Sequence, residues 1–277
     1  LTGALGSEKV RWADSIVILQ SQSAFLIGDV LLASAFISYI GPFTKHYRDI
    51  LVNEKWVPYL SKALGLDENM QPKGVPISPD VDPLKILCTE ADIARWNSFH
   101  LPADQVSIEN AAVTANSARW PLLIDPQLQA IAWVKEMEKE SGLKILRLGT
   151  KSMMKDICHA IEYGGVVVIE NMYEKLDAVL MPIVARQVYF RGKRRFIKLG
   201  DDEIEWNEKF KFMLHTKLAN PHFAPELQAE TTLVNFTVTE LGLEDQLLSL
   251  VVRKERADLA EQRAHLIQQE NRFKLKL

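Results

Sequence analysis

Residues 119–142, RWPLLIDPQLQAIAWVKEMEKESG, have the outline of a phosphate-binding unit. Pro121–Ile124 is a short apolar run, Asp125 and Pro126 make a turn, and an amphipathic stretch runs on to Gly142. A strand, a tight turn and a helix in that order begin a P-loop, which cradles phosphates on backbone N–H groups at a helix N-terminus. The motif itself is G-x-x-x-x-G-K-[ST]. Placed on Asp125–Ala132, its first Gly becomes Asp125, its second Gly Ala130, its Lys Ile131 and its Ser/Thr Ala132. Asp125 brings a charge that repels phosphate, Ile131 cannot neutralise one, and Ala132 cannot ligate Mg²⁺. Pro126 also removes an N–H from the cradle.

A second stretch gives an independent check. GGVVVIEN, 164–171, is an apolar strand ending in an acid, as a Walker B strand does. Glu170 stands where such a strand holds its metal-binding Asp, and Asn171 stands where the water-polarising Glu would be. An amide cannot act as a base. Asn220 in LANPHF has the place of a sensor Asn that orients a water, although Asn-Pro reads more readily as a turn. No arginine occurs between Arg195 and Arg253, so the stretch that would carry an arginine finger has none. The outline of a nucleotide site is present without its chemistry, and we expect a unit that does not hydrolyse ATP. Two alternatives stay open: an active ATPase or regulatory module that binds nucleotide through an unorthodox loop, and a free-standing adaptor built on an inactive fold.

The elements that must position these residues follow from hydrophobic period. Residues 7–63 read as helices, with Val10, Ile16, Leu19, Leu26 and Val30 at helical spacing, broken by Gly41-Pro42. A second helix is expected over about Lys45–Leu64, tolerating Pro58 near its end. LDENMQPKGVPISPDVDP, 66–83, is polar, rich in Pro and Gly, and reads as a linker. Beyond it the pattern alternates β and α, which predicts an α/β fold, a mainly parallel sheet flanked by helices. Strands are expected at Leu122–Ile124, Leu143–Leu148, Val166–Ile169, Phe210–Thr216 and Leu233–Val238. Helices are expected at about Gln127–Ser141, Met153–Tyr163, Asp177–Arg186 and Pro225–Ala229. Residues 187–209 alternate apolar and polar around two glycine turns and read as a β-hairpin insertion. From Gly242 the chain is helical again, and its apolar positions thin to Leu259, Leu266 and Phe273 at roughly heptad spacing. A helix this polar predicts half of a coiled coil with its partner elsewhere.

The totals exclude several classes. With 277 residues, 47% hydrophobic, 25% charged and a net charge of −3, the composition is that of a globular protein, without an electrostatic case for nucleic acid or an anionic membrane. The most apolar stretch, Phe25–Ile40, contains Gly28 and Asp29 and is shorter than the ~20 residues of a membrane span. Cys88 and Cys158 lack CxxC spacing and read as free thiols, and the histidines match no zinc pattern. No nucleophile, base and orienting acid form a catalytic set. The tryptophans have apolar neighbours and read as core. The opening LTGALGSEKV and the close NRFKLKL, which stops in mid-pattern, suggest a piece of a longer polypeptide.

An α/β module followed by a helical segment is the layout of an AAA+ unit, and the motifs then become specific. SEKVRW at 7–12, LIGDVLLASAFISYIGPF at 26–43, RWPLLIDPQLQ at 119–129, TKLANPHFAPE at 216–226 and NFTVTELGLEDQLL at 235–248 resemble the motor region of dynein heavy chains, closer to ciliary outer-arm chains than to the cytoplasmic form. In that family LIDPQLQ resembles the P-loop position of the fifth AAA+ module of the ring, which does not bind nucleotide. The resemblance implies the end of the returning stalk helix at 1–24 and small-subdomain helices of the fourth module at 25–65. After the linker, it implies the large subdomain of the fifth module at 84–240 and the start of its small subdomain and buttress at 241–277.

It further implies a structural module that passes ATP-driven ring movements through the buttress to the stalk, and so to microtubule affinity. No cofactor is then expected in this chain, with ATP and Mg²⁺ in other modules. The partners implied are neighbouring AAA+ modules, the stalk coiled coil and the linker that can rest on this part of the ring; microtubules are reached only indirectly, and neither nucleic acid nor membrane is expected. The setting implied is cytoplasm and the axoneme of a cilium or flagellum. Docking candidates are Glu255, Arg256, Glu261, Arg263 and Gln268 on the exposed helix, and Arg191, Lys193, Arg194 and Arg195 at the hairpin. The helix face reads equally as an ordinary solvated surface, and the hairpin tip reads more readily as one than as a docking site.

Overall fold

The structure, a computed structural model, describes residues 2–62, 65–66, 72–238, 240–256, 258–259, 262, 265–266, 269 and 273. The chain divides into two compact units, Leu1–Ile40 with Lys45–Cys88, and Gly41–Thr44 with Thr89–Leu277.

The first unit is led by α1, Thr2–Tyr39, a 38-residue helix without a proline. Leu32, Ala33, Phe36 and Ile40 are buried, at helical spacing, while Val10, Trp12, Ile16, Val17, Leu19 and Leu26 are exposed. The second predicted helix is interrupted. Lys45–Asp49 is α-helical, Ile50–Trp56 widens into a π-helix, and Val57–Lys62 returns to α. Pro58 explains the widening: it has no N–H to return to the carbonyl of Glu54, and the preceding N–H, of Val57, reaches back to Val52 instead. Within the stretch read as a linker, Gly65–Leu66 pairs antiparallel with Pro72–Lys73. Val75 donates to the carbonyl of Leu60 at 2.7 Å, and Ser78 is held by Asp29. A short helix, Pro83–Leu87, starts on an Asp82 cap.

The second unit opens with two helices that the hydrophobic period does not reveal, α2 over Glu90–Ser98 and α3 over Gln105–Asn116. Their starts are written in the sequence nonetheless. Thr89 and Asp92 form a reciprocal capping box, and Asp104 accepts from the N–H of Ser107. In α3 the buried face includes Ser107, Glu109, Asn110 and Thr114, and these polar residues blur the apolar stripe. The amide of Asn110 is used: it donates to the carbonyl of Asn235 at 2.7 Å.

A five-stranded, wholly parallel sheet follows: β1 Trp120–Ile124, β2 Lys144–Leu146, β3 Val166–Ile169, β4 Lys211–Thr216 and β5 Thr231–Asn235, in the spatial order β5-β1-β4-β3-β2. The predicted α/β class is the one found. The strands read as continuous apolar runs because both faces of the sheet are covered; all of β1 and all of β3 are buried. Pro121 is tolerated in a central strand because pairing with β4 begins only at Leu122. Three helices return the chain between strands, α4 Gln129–Met137, α5 Met153–Tyr163 and α6 Pro225–Glu230. The helix expected over Asp177–Arg186 is a 3₁₀ turn, Ala178–Leu180, continued by Met181–Val184.

The insertion at 187–209 corrects the sequence reading. It is not one hairpin but a three-stranded antiparallel meander, Val188–Arg191, Arg194–Leu199 and Asp202–Glu205. Each glycine turn reverses the chain once. Gly192 and Gly200 both have positive φ, 65° and 62°, as two-residue hairpin turns require at their first central position. Ile197, Leu199 and Ile204 are buried and join the main core with Trp120, Phe210 and Phe212. The last continuous described element is α7, Glu240–Glu255.

Candidate functional site

In an open parallel sheet ligands lie beyond the carboxyl ends of the strands, where the strand order reverses. Here that place is the junction of β1, β4 and β3. Asp125 follows β1, Glu170 and Asn171 follow β3, and His215 and Thr216 end β4. Backbone bonds knit the three ends together. Asp125 N–H donates to the carbonyl of Thr216 at 2.9 Å, and Met172 N–H donates to that of His215 at 2.9 Å.

Asp125 is fully buried, and its carboxylate turns under the N-terminus of α4. Oδ1 accepts from the N–H of Gln129 and Oδ2 from the N–H of Ile131, both at 2.9 Å. The Asp125 carbonyl accepts from Leu128 N–H at 3.3 Å, closing a turn over Pro126 and Gln127. Of the four N–H groups that a helix leaves without partners at its start, Asp125 therefore satisfies three, those of Leu128, Gln129 and Ile131. The negative carboxylate also sits at the positive end of the helix dipole. Leu128 makes this possible at a local cost, since it adopts the left-handed conformation at φ 64° that a glycine would enter freely.

His215 faces the same carboxylate and is also fully buried. Its Nδ1 accepts from the N–H of Asn171 at 3.1 Å, so a ring proton is assigned to Nε2. Nε2 has no hydrogen-bond partner and stands 3.5 Å from Asp125 Oδ2. Asn171 itself is held at φ 57°, a second non-glycine residue in the left-handed region at the same junction. An Asn tolerates that conformation better than most residues.

Glu170 is engaged on both oxygens. Oε1 lies 3.1 Å from Lys135 Nζ of α4, and Oε2 lies 3.1 Å from Arg147 Nη2 just after β2. Burial raises the pKa of this carboxyl, but the hydrogen bonds and charges of Lys135 and Arg147 outweigh it and hold the group below the usual glutamate range. The other positions of the predicted site diverge. Ala130 and Ile131 are buried in the core, whereas Ala132 is exposed on the far side of α4. Asn220 lies exposed in a bend between β4 and α6. The sequence reading did not single out His215, Lys135 or Arg147 for this site. The one signal for His215 was a polar His-Thr pair closing an apolar strand.

Residues 94–277 match the model of the ATP-binding dynein motor region, and residues 1–60 match that of the microtubule-binding stalk of the dynein motor. This chain belongs to the dynein heavy-chain motor family. Along its whole length it is 49% identical to dynein axonemal heavy chain 9 of Homo sapiens and 46% identical to the dynein alpha chain, flagellar outer arm, of Chlamydomonas reinhardtii. It is 47% identical, over 99% of its length, to the ciliary dynein beta chain of Tripneustes gratilla. It spans only 6% of the length of each of these relatives.

The dynein chain's docking candidates fall in two places. Arg191, Arg194 and Arg195 lie on the first two strands of the meander, with Lys193 in the turn between them. Arg191 pairs with Glu203 at 2.6 Å, Arg194 with Glu205 at 3.0 Å, and Arg195 with Glu208. The basic cluster therefore already has carboxylate partners within its own unit. Glu255 closes α7, and Arg256 pairs with Asp258 at 2.8 Å; Glu261, Arg263 and Gln268 lie outside the described residues. Among the described residues no cluster of His, Cys, Asp and Glu is arranged to hold a metal, and no helix is long and apolar enough to cross a membrane.

Proposed function

We propose that this dynein heavy-chain region is a non-hydrolysing structural AAA+ module, the fifth of the motor ring. In this reading it transmits ATP-driven movements of other modules to the microtubule-binding stalk in an axonemal motor. The observation that carries this reading is the Asp125 carboxylate on the N–H groups of Gln129 and Ile131. Those are the donors a phosphate would need. No lysine replaces Ile131 beside them, and the acid of the Walker B position, Glu170, is bound by Lys135 and Arg147. The residues present do not fit a nucleotide triphosphate.

What such a module can do is move as a body. Strand ends that open and close around a nucleotide elsewhere are here tied to one another by protein atoms. The exposed apolar positions of α1 and of α7, Leu243, Leu247, Leu248 and Val251 among them, support a lever role in which both helices meet partners in the larger motor. The names of the relatives, axonemal and ciliary, support an axonemal setting.

Binding of a fluorescent ATP analogue with Mg²⁺ to the purified chain tests the reading. No saturable binding up to millimolar concentration is expected. Saturable binding displaced by unlabelled ATP overturns it and makes the module a regulatory nucleotide site instead.

A further inference from the structure

The start of α4 is more than a site that lacks a ligand. Three features of a working anion cradle are intact: a helix of 9 residues, two convergent backbone N–H donors, and a buried imidazole N–H turned toward the same point. The third is the telling one. His215 Nε2 is wholly buried and has no hydrogen-bond partner, although its ring is oriented by the Asn171 N–H on Nδ1. A buried donor left unsatisfied is costly, and it points at the place where negative charge is held.

We infer that the β1–α4 junction is a small-anion site permanently liganded by the chain's own Asp125 carboxylate. The carboxylate is a tethered surrogate for phosphate and locks the module in a ligand-bound form. This deepens the proposed function and rests on it, because a surrogate is needed only where nucleotide no longer supplies the anion. The consequence is structural. The surrogate joins β1 and α4 through Gln129 and Ile131 and faces β4 through His215, whose Nδ1 in turn accepts from the Asn171 N–H after β3. The parts that nucleotide would draw together are already drawn together, so the body that carries the lever does not relax between cycles of its neighbours. The ligand class follows from the donors: a compact monoanion of carboxylate size, met by two backbone N–H groups and one imidazole N–H, with Ile131 where a lysine would meet further charge.

The test is chemical rescue in the whole 277-residue chain. Asp125→Ala removes the carboxylate and leaves a space the size of formate. Its thermal midpoint is expected to fall, and sodium formate, against sodium chloride at equal ionic strength, to raise it again. At ten times the half-saturating concentration the rise is about 3–6 °C. Wild type is expected not to respond. Backbone exchange should report the same site: the Gln129 and Ile131 amides exchange faster in the variant and slow again with formate. If Asp125→Ala is folded by circular dichroism and neither readout responds, the inference is overturned. Asp125→Asn covers the case in which Asp125→Ala does not fold. It keeps the volume but loses the charge and places a donor against a donor, so lower stability and faster Ile131 exchange are expected; stability and protection equal to wild type overturn the inference. Failure here is distinct from failure of the functional reading, which is read from ATP-analogue binding to wild type.

Discussion

Lys135 Nζ lies 3.1 Å from Glu170 Oε1 and ties the last turn of α4 to the end of β3, while Arg147 holds the other oxygen from the end of β2. An acid that bridges two elements in this way has become a strut, and its titration reports on the fold. Its folded pKa lies below the ordinary glutamate value of about 4.3, so its contribution is complete above that value and is lost as pH falls through the folded one. Glu170→Gln is expected to lower stability by about 1 kcal/mol at pH 7, because it removes the charge from a carboxylate whose cations, Lys135 and Arg147, are largely screened by solvent. The difference from wild type should narrow as pH falls below about 4.3. Urea midpoints of both chains across a pH series give the curve. A difference that stays constant down to acid pH would mean that the ionised carboxylate is not what holds these elements.

A second strut lies in the stretch that composition alone marks as a linker. Asp29 Oδ1 accepts from the Ser78 backbone N–H at 2.9 Å, and Oδ2 accepts from its hydroxyl at 2.5 Å. Beside it, a Cβ on Gly28 would stand 2.3 Å from the carbonyl oxygen of Pro76, so the strap passes directly over a helical glycine. Ser78→Ala is expected to cost about 1–2 kcal/mol and Gly28→Ala about 1–3 kcal/mol, the second through backbone displacement. Limited proteolysis within residues 72–82 should become faster in both variants. Unchanged cleavage in Gly28→Ala would show that the strap has room to move that the structure does not contain.

The basic strands of the meander can be separated from the fold by substitution. Arg194 and Arg195 are exposed, and each is paired with a glutamate; Arg194→Ala and Arg195→Ala should each change stability by no more than about 1 kcal/mol. Ile197 is fully buried in the core shared with the sheet, and Ile197→Ala should cost about 2–4 kcal/mol. Chemical denaturation measures all three. A large loss in either arginine variant would mean that the charges hold the meander together, which would leave less of the cluster for an acidic partner.

How far the sequence reveals this molecule depends on whether a signal is local. β3 and α5 are read to the residue. One is an unbroken apolar run between Gly165 and Glu170, and the other stops at Gly164, whose φ of 74° caps the helix. β5 starts two residues before the expected Leu233, because Thr231 and Thr232 are buried with satisfied hydroxyls. Their polarity therefore carries no information about exposure. The site divides in the same way. The sequence suggests an acid at Asp125 where a P-loop would have a glycine, and one that repels phosphate. The destination of the carboxylate, under α4 and against His215, depends on contacts between β1 and β4 that no local pattern encodes. The partners of Glu170 come from α4 and the end of β2, and are hidden for the same reason.

Leu243, Leu247 and Val251 of α7 recur every four residues, and each is half exposed, at 51%, 53% and 54%. Burial of apolar surface is what makes a large-to-small change costly, so Leu247→Ala should cost this chain less than about 1 kcal/mol. Leu214→Ala, at a fully buried position of β4, should cost about 2–5 kcal/mol. The order should reverse in the larger motor if α7 meets a coiled-coil partner there. Leu247→Ala in a complete heavy chain is then expected to leave ATP turnover in place while weakening its dependence on microtubules, because the stripe that would carry movement outward has lost a contact. Microtubule-stimulated ATPase measured beside basal ATPase separates the two effects. Full stimulation in that variant would remove α7 from the transmission path and leave the module as a passive spacer.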